Sequence, residues 1–185
     1  MPDLAGDKIA FLSYCGPIDA AGVSKIASML NAAVNEQFDR VHLCFSSGGG
    51  YVGDGIYLYN HIRSLPIPIT MHNIGTVASI AATLFSAAER RLCSMHSIFM
   101  MHPVAVSGNG SMVSGLLLAS LEAAQTDEAR TEAILRERTR LPEDILSSRR
   151  TTDVWITPEK ALTYGLVHEI AEFTVPPGNK IIQIG

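Results

Sequence analysis

Met71-His-Asn-Ile-Gly-Thr-Val-Ala-Ser79-Ile-Ala-Ala-Thr-Leu-Phe-Ser-Ala-Ala88 decides how this chain is read. An apolar, β-branched run from Ile67 to Ile74 reaches Gly75, and four residues later one serine opens an alanine-rich run. The pattern predicts strand, tight turn and helix. A serine at a helix start has two uses. It caps the helix, since its oxygen accepts from a first-turn N–H. Or it acts as a nucleophile beside backbone N–H groups that favour negative charge.

Working outward, the same alternation recurs. Residues 8–15 read as a strand, broken at Gly16-Pro17, and Asp19 is placed to cap a helix over 20–37 with Ile26, Met29, Leu30, Ala33 and Val34 on one face. Residues 40–46 read as a second strand, followed by Ser47-Gly48-Gly49-Gly50 and a helix to about Arg63. Ser97–Met101 reads as a fourth strand ending at His102-Pro103. Val104 to Ser111 is a loop or extended excursion. From Met112 to Arg140 no proline intervenes, and one helix of that length would span about 40 Å, so it should project or serve an interface. A short helix to about Arg150 and an extended piece at 151–156 follow. Thr157-Pro158 signals a capped helix that ends at Tyr164-Gly165. Leu166–Phe173 reads as a last strand, before a short apolar tail at Ile181–Ile184. Strands alternating with helices imply an α/β fold of βαβ units with a parallel sheet.

The chain has 185 residues, which sets one domain over 1–185 as the expectation. Hydrophobic residues make up 47% and charged ones only 17%, a balance that points to apolar surface buried against other subunits. The net charge of −4 argues against nucleic acid or an anionic membrane as partner. No run suits a transmembrane helix, and the N-terminus lacks a signal-peptide pattern. Cys15, Cys44 and Cys93 lack metal or redox spacing and read as buried free thiols of a reducing cytoplasm.

A nucleophilic Ser79 needs a base and an acid to orient it. His42, His61, His72, His96 and His168 have ordinary structural settings, whereas His102 stands where an apolar strand ends. Ligands of parallel sheets gather outside strand C-termini, where the turns at Gly48–Gly50 and before Ser79 also lie. Gly48–Gly50 is a flexible turn or an anion-binding backbone; it fits neither the phosphate-loop nor the dinucleotide pattern. Asp153 orients a histidine or caps the turn before Val154. The hydrolase elbow G-x-S-x-G is absent, because Val77 and Ala81 hold its glycine positions.

Four motifs together resemble the proteolytic subunit of the ATP-dependent Clp protease, a family with the crotonase-like fold. Ser46-Ser-Gly-Gly-Gly50 is similar to N-S-P-G-G and Thr76-Val-Ala-Ser79-Ile-Ala to Q-A-A-S-M-A/G. Met100-Met-His102-Pro is similar to M-I-H-Q-P, and Asp153–Thr157 with Ala161–Val167 to the family's closing D-x-F/Y-(M/L)-S…E-A-x-x-Y-G-L segment. The match runs over roughly residues 8–172. The resemblance implies Ser79 as nucleophile, His102 as base and Asp153 as orienting carboxylate, with the N–H groups of Gly49 and Ile80 as oxyanion hole. It implies a peptide laid along Gly50, Tyr51, Val52, Pro103 and Val104, and a handle helix within about 104–140. It further implies a serine endopeptidase without metal or cofactor, built as a heptameric ring able to stack on a second ring. The family's departures here are Gly48 for proline, Ile80 for methionine, Pro103 for glutamine and Thr152 for an arginine that joins ring–ring contacts. The chain also starts about eight residues before the first strand, which counts against docking of an AAA+ unfoldase. Two other classes stand beside this one: an acyl-CoA enzyme of the crotonase fold, and a catalytically silent ring or scaffold subunit.

Overall fold

A computed structural model describes residues 6–106 and 113–185. The elements in order are β1 (Ile9–Cys15), α1 (Ala20–Asn35), β2 (Arg40–Ser47), α2 (Val52–Ser64), β3 (Ile69–Ala78), α3 (Ile80–Phe85), β4 (Arg90–Cys93), β5 (Ile98–Met101), α4 (Ser114–Arg138), α5 (Glu143–Ser148), β6 (Val154–Ile156), α6 (Pro158–Thr163), β7 (Glu169–Ile170) and β8 (Ile181–Ile184). Among the described residues they build one eight-stranded sheet in the order β6-β5-β3-β2-β1-β8, with β4 and β7 branching from β3. The ladders are parallel except β5–β6, which is antiparallel. The α/β class expected from the alternation is the one observed.

The local signals act as the residues dictate. Asp19 caps α1, accepting from the Gly22 N–H at 2.8 Å. Val23, Ile26, Leu30 and Ala33 recur on one helical face and are buried, each larger side chain contributing about 1.5–3 kcal/mol. Thr157 caps α6 with Pro158 in its first turn, and Gly165 closes that helix at φ 65°. Phe45, Phe85 and Phe99 lie at the centre of the core, the last two edge to face at 5.4 Å.

Four expectations change. Gly75 is not a turn: β3 runs on to Ala78, with a register shift against β2 between Phe45 and Ser47. The strand expected over Leu166–Phe173 shrinks to Glu169–Ile170, which pair with Leu92 and Cys93 of the short β4. The tail at Ile181–Ile184 is a strand paired with β1. Cys15, at the end of β1, is exposed, while Cys44 and Cys93 are buried. Burial pushes the Cys44 thiol up to about 12 and raises that of Cys93. Part of the expected excursion, residues 107–111, lies outside the described residues.

β4 was not visible in the periodicity, because its second residue is a buried arginine. Arg91 donates from Nε to Leu166 O at 2.9 Å, from Nη1 to Ala88 O at 3.0 Å and Ser86 O at 3.4 Å, and from Nη2 to Arg138 O and Gly165 O at 3.1 Å each. These carbonyls belong to the C-terminal ends of α3, α4 and α6, where helices leave acceptors unpaired. Burial lowers the Arg91 pKa to about 10, so the guanidinium stays charged at neutral pH.

Two histidines are held neutral. His72 bonds through Nε2 to Ala171 O at 2.9 Å, and burial lowers its pKa. His168 Nδ1 accepts from the Arg91 N–H at 3.0 Å; burial first, and then Arg91, lowers its pKa. Below the ordinary histidine value of about 6.5 the unfolded chain takes up protons that the fold refuses, so stability rises with pH there. The melting temperature is expected to be flat above pH 7 and to fall as the pH drops from 6.5 towards 5. Scanning calorimetry over that range, on the wild type and His72→Gln, checks this, with a shallower slope expected in the variant.

Candidate active site

β2, β3 and β5 run parallel, so their C-terminal ends share one edge of the sheet. β6 runs the other way, so its N-terminal end lies at that edge too. The residues that follow or precede these ends are Gly48–Gly50, Ser79, His102 and Asp153.

Ser79 enters α3 at φ 57° and ψ −133°, a backbone region that costs a non-glycine residue about 1–3 kcal/mol. Its N–H is held by Met100 O at 2.8 Å, so the neighbouring strand fixes the turn. The side chain makes no capping hydrogen bond. The cap reading of this serine is therefore not the one the fold uses: its hydroxyl is left to a cavity of about 340 Å³ that His102 also lines.

The β5–β6 ladder pairs Phe99 with Ile156, Met100 with Trp155 and Met101 with Val154. Continued one step past the ladder, the same register would set Asp153 opposite His102. Directly opposed residues of an antiparallel pair carry Cβ atoms about 4.5–5.5 Å apart. Asp153 is exposed and is not part of the cavity wall. No hydrogen bond joins Ser79, His102 and Asp153 in this isolated subunit; such bonds commonly tighten only around a substrate.

The expected oxyanion donors separate. Ile80 is the first residue of α3, where a helix leaves its N–H groups without intrahelical acceptors. Gly49 is different: its N–H already goes to Ser47 Oγ at 3.2 Å, and the residue is buried. Its φ is 98°, and a Cβ there would lie 2.6 Å from Ser79 Cβ and 2.9 Å from Ala78 O. Gly49 is the seat against which Ser79 rests. Gly50 is exposed, lines the cavity, and its N–H has no partner among the described residues.

Tyr51, Val52, Pro103 and Val104 also line the cavity. Two of them are not free strand edge, however. Val52 is the first residue of α2, and the Val104 N–H is taken by Glu128 Oε2 at 3.0 Å. Glu128 reaches across to Arg149 Nη2 at 2.6 Å. Close by, buried Glu132 is gripped by Arg150 at 2.8 and 2.6 Å and by Arg136, and these hydrogen bonds, that of Arg150 foremost, hold its carboxyl below the usual range.

Sequence reasoning missed the far wall, formed by Thr83, Asp127, Thr131, Leu135 and Arg149. The signal for three of them was present: 127, 131 and 135 are four apart and share one face of α4. For Arg149, in a Ser-Ser-Arg-Arg run, there was none.

Among the described residues no group of three His, Cys, Asp or Glu is placed to hold a metal ion. No helix there is long and apolar enough to cross a membrane.

The chain is also similar to known proteins. The Clp protease family model matches residues 5–174. The ATP-dependent Clp protease proteolytic subunit 3 of Rhizobium meliloti is 30% identical over 157 residues, covering 84% of this chain and 80% of the relative. Subunit 2 of Pseudomonas aeruginosa is 26% identical over 175 residues, 91% and 86% of the two chains. Among solved structures, a ClpP1 mutant from Listeria monocytogenes superposes with a TM-score of 0.76 over 90% of this chain and 92% of that one, at 22% identity, a likeness of fold.

Gly49→Ala tests the seat. The added methyl is expected to push Ser79 out of line and slow its labelling by a fluorophosphonate about 10²-fold, as displacements of 1 Å can do. Mass spectrometry of the labelled protein over time reads this, with circular dichroism as the check on folding.

Proposed function

Since the chain belongs to the Clp protease family and is a serine-type endopeptidase, we propose that Ser79, His102 and Asp153 carry the cleavage. The observation that supports this most is the convergence of four strand ends on one edge, with the Ser79 hydroxyl released from capping.

In this reading His102 takes the proton of Ser79 Oγ as that oxygen attacks the scissile carbonyl carbon. Asp153, opposite His102 in the extended register, stabilises the imidazolium. The N–H groups of Ile80 and Gly50 receive the developing oxyanion, where one donor is typically worth about 10²–10³ in rate. Gly50 takes this role in place of Gly49, whose N–H is committed to Ser47. His102 then protonates the leaving amine, the carbon–nitrogen bond breaks, and a water repeats the sequence on the Ser79 ester. None of these steps calls for a metal or cofactor.

The family works as self-assembled rings, and its relatives are named subunits. We assign this chain to a heptameric ring, with a second ring stacked on it. What supports this is the first half of α4, where Leu116, Leu117, Leu118 and Leu121, with the preceding Val113, are each more than 50% exposed. The substrate is an unfolded protein or short peptide, and the site is cytoplasmic, in keeping with free thiols.

Ser79→Ala is expected to abolish both fluorogenic-peptide cleavage and fluorophosphonate labelling without changing the native mass. Labelling that survives the substitution places the nucleophile elsewhere. A large particle in which wild-type Ser79 is inert supports the scaffold reading instead. Asp153→Asn is expected to lower kcat about 10⁴-fold with KM little changed, as loss of the orienting charge does in such triads.

A further inference from the structure

The cavity beside Ser79 has one wall that general peptide hydrolysis does not require. Val52, Met101 and Leu135 give it an apolar lining, but part of its wall is polar: Thr83, Thr131 and Arg149 line it and are each at least nine-tenths buried, and Asp127 lines it too. Four residues along from Ser79, Thr83 sits on the short helix that the serine opens. Its hydroxyl makes no hydrogen bond among the described residues.

Arg149 is 4% exposed, and the protein uses only part of its guanidinium. Nη2 is directed to Glu128 Oε1 at 2.6 Å, Thr131 Oγ1 at 3.3 Å and Glu128 O at 3.4 Å. Nε has no hydrogen-bond partner but is sealed from solvent, whereas Nη1 makes no hydrogen bond among the described residues and is not sealed, so it is the donor open to a ligand. Donors of a buried guanidinium are seldom left unmade. Here they belong to a residue that lines a substrate-sized space.

We propose that this cavity receives the side chain preceding the scissile bond, and that Arg149 and Thr83 make it selective for a carboxamide, glutamine above all. The inference rests on the peptidase reading of Ser79. Charge decides among polar side chains. Arg149 is already neutralised by Glu128, and Asp127 is paired with Arg130 at 3.0 Å. A carboxylate entering the space would add an unbalanced negative charge beside Asp127 and Glu128, and an ammonium would face Arg149. A carboxamide is uncharged. Its oxygen accepts from Arg149, its NH₂ donates to Thr83 or Asp127, and its two methylenes lie along Met101 and Leu135.

Four fluorogenic peptides that differ only in glutamine, glutamate, leucine or lysine before the cleaved bond test this on the assembled wild-type enzyme. Glutamine is expected to exceed each of the others in kcat/KM by at least about tenfold, a modest share of what polar pockets reach. Two variants localise the effect. Arg149→Lys keeps a positive charge against Glu128 but loses the planar fork. Thr83→Val keeps the volume and loses the hydroxyl. In each the glutamine-to-leucine ratio is expected to fall towards one. Because the ratio is internal to each preparation, loss of folded protein cancels from it.

A wild-type ratio at or below one, in enzyme that labels at Ser79, overturns the pocket assignment. So does a ratio that Arg149→Lys leaves in place. Absence of both labelling and turnover in the wild type overturns the peptidase reading, and the pocket assignment with it.

Discussion

Everything at the site depends on β3 changing neighbours halfway along its length. Its first half, Thr70–Asn73, pairs with β4, and its last three residues pair with β5. The ladder to β2 shifts at the same place. A shift of this kind frees backbone groups, and two side chains satisfy them. Ser46 Oγ accepts from the Thr76 N–H and donates to Thr76 O, both at 3.2 Å. Asn73 accepts from the Gly75 N–H through Oδ1 and donates to Ile98 O through Nδ2, both at 3.0 Å. The Asn73 amide thereby ties the bend to the strand that ends at His102. Had β3 kept one partner throughout, β5 would not lie beside it, and Ser79 would have no histidine for a neighbour.

The helices are fixed by charge as much as by apolar packing. Arg91 gathers carbonyls from three helix ends distant in sequence, and Arg138 adds a second donor to Ser86 O at 3.1 Å. Glu132 and Glu128 do the converse, holding arginines against the second half of α4. Buried charges of this kind contribute little net stability compared with apolar residues of the same size, but removing one partner is costly. They therefore fix the position of α4 relative to the site. Among the described residues the first half of α4 has no such ties, and the core takes from this helix only Leu135 and, in part, Ile134.

Much of this was legible in the residues. Asp19 and Thr157-Pro158 announced their helices because capping is local chemistry, and the strand end before His102 was readable because the apolar run stops there, whereas the run before Ser79 reads as ending at Gly75 and the strand continues to Ala78. What stayed hidden was set by partners far along the chain. Arg90-Arg91 reads as a surface turn until the carbonyls of residues 138, 165 and 166 surround it. Gly75 reads as a turn until Ser46 and Asn73 supply the hydrogen bonds of a bend. Gly49 and Gly50 look alike in sequence; the fold tells them apart by burying Gly49 at positive φ under Ser79 and giving its N–H to the Ser47 hydroxyl. The family resemblance supplied roles for Ser79, His102 and Asp153, but not the polar part of the cavity wall at Thr83, Thr131 and Arg149.

The short antiparallel ladder carries a consequence of its own. Asp153 immediately precedes β6, which is three residues long and, among the described residues, pairs only with β5 at the end of the sheet order. Segments of that kind open at far lower free energy than the central ladders. On the proposal that Asp153 orients His102, that carboxylate has a local equilibrium separate from that of the fold. Activity is then expected to fall on warming before the core loses structure, and a contact that clamps β6 is expected to raise turnover without touching any reacting atom.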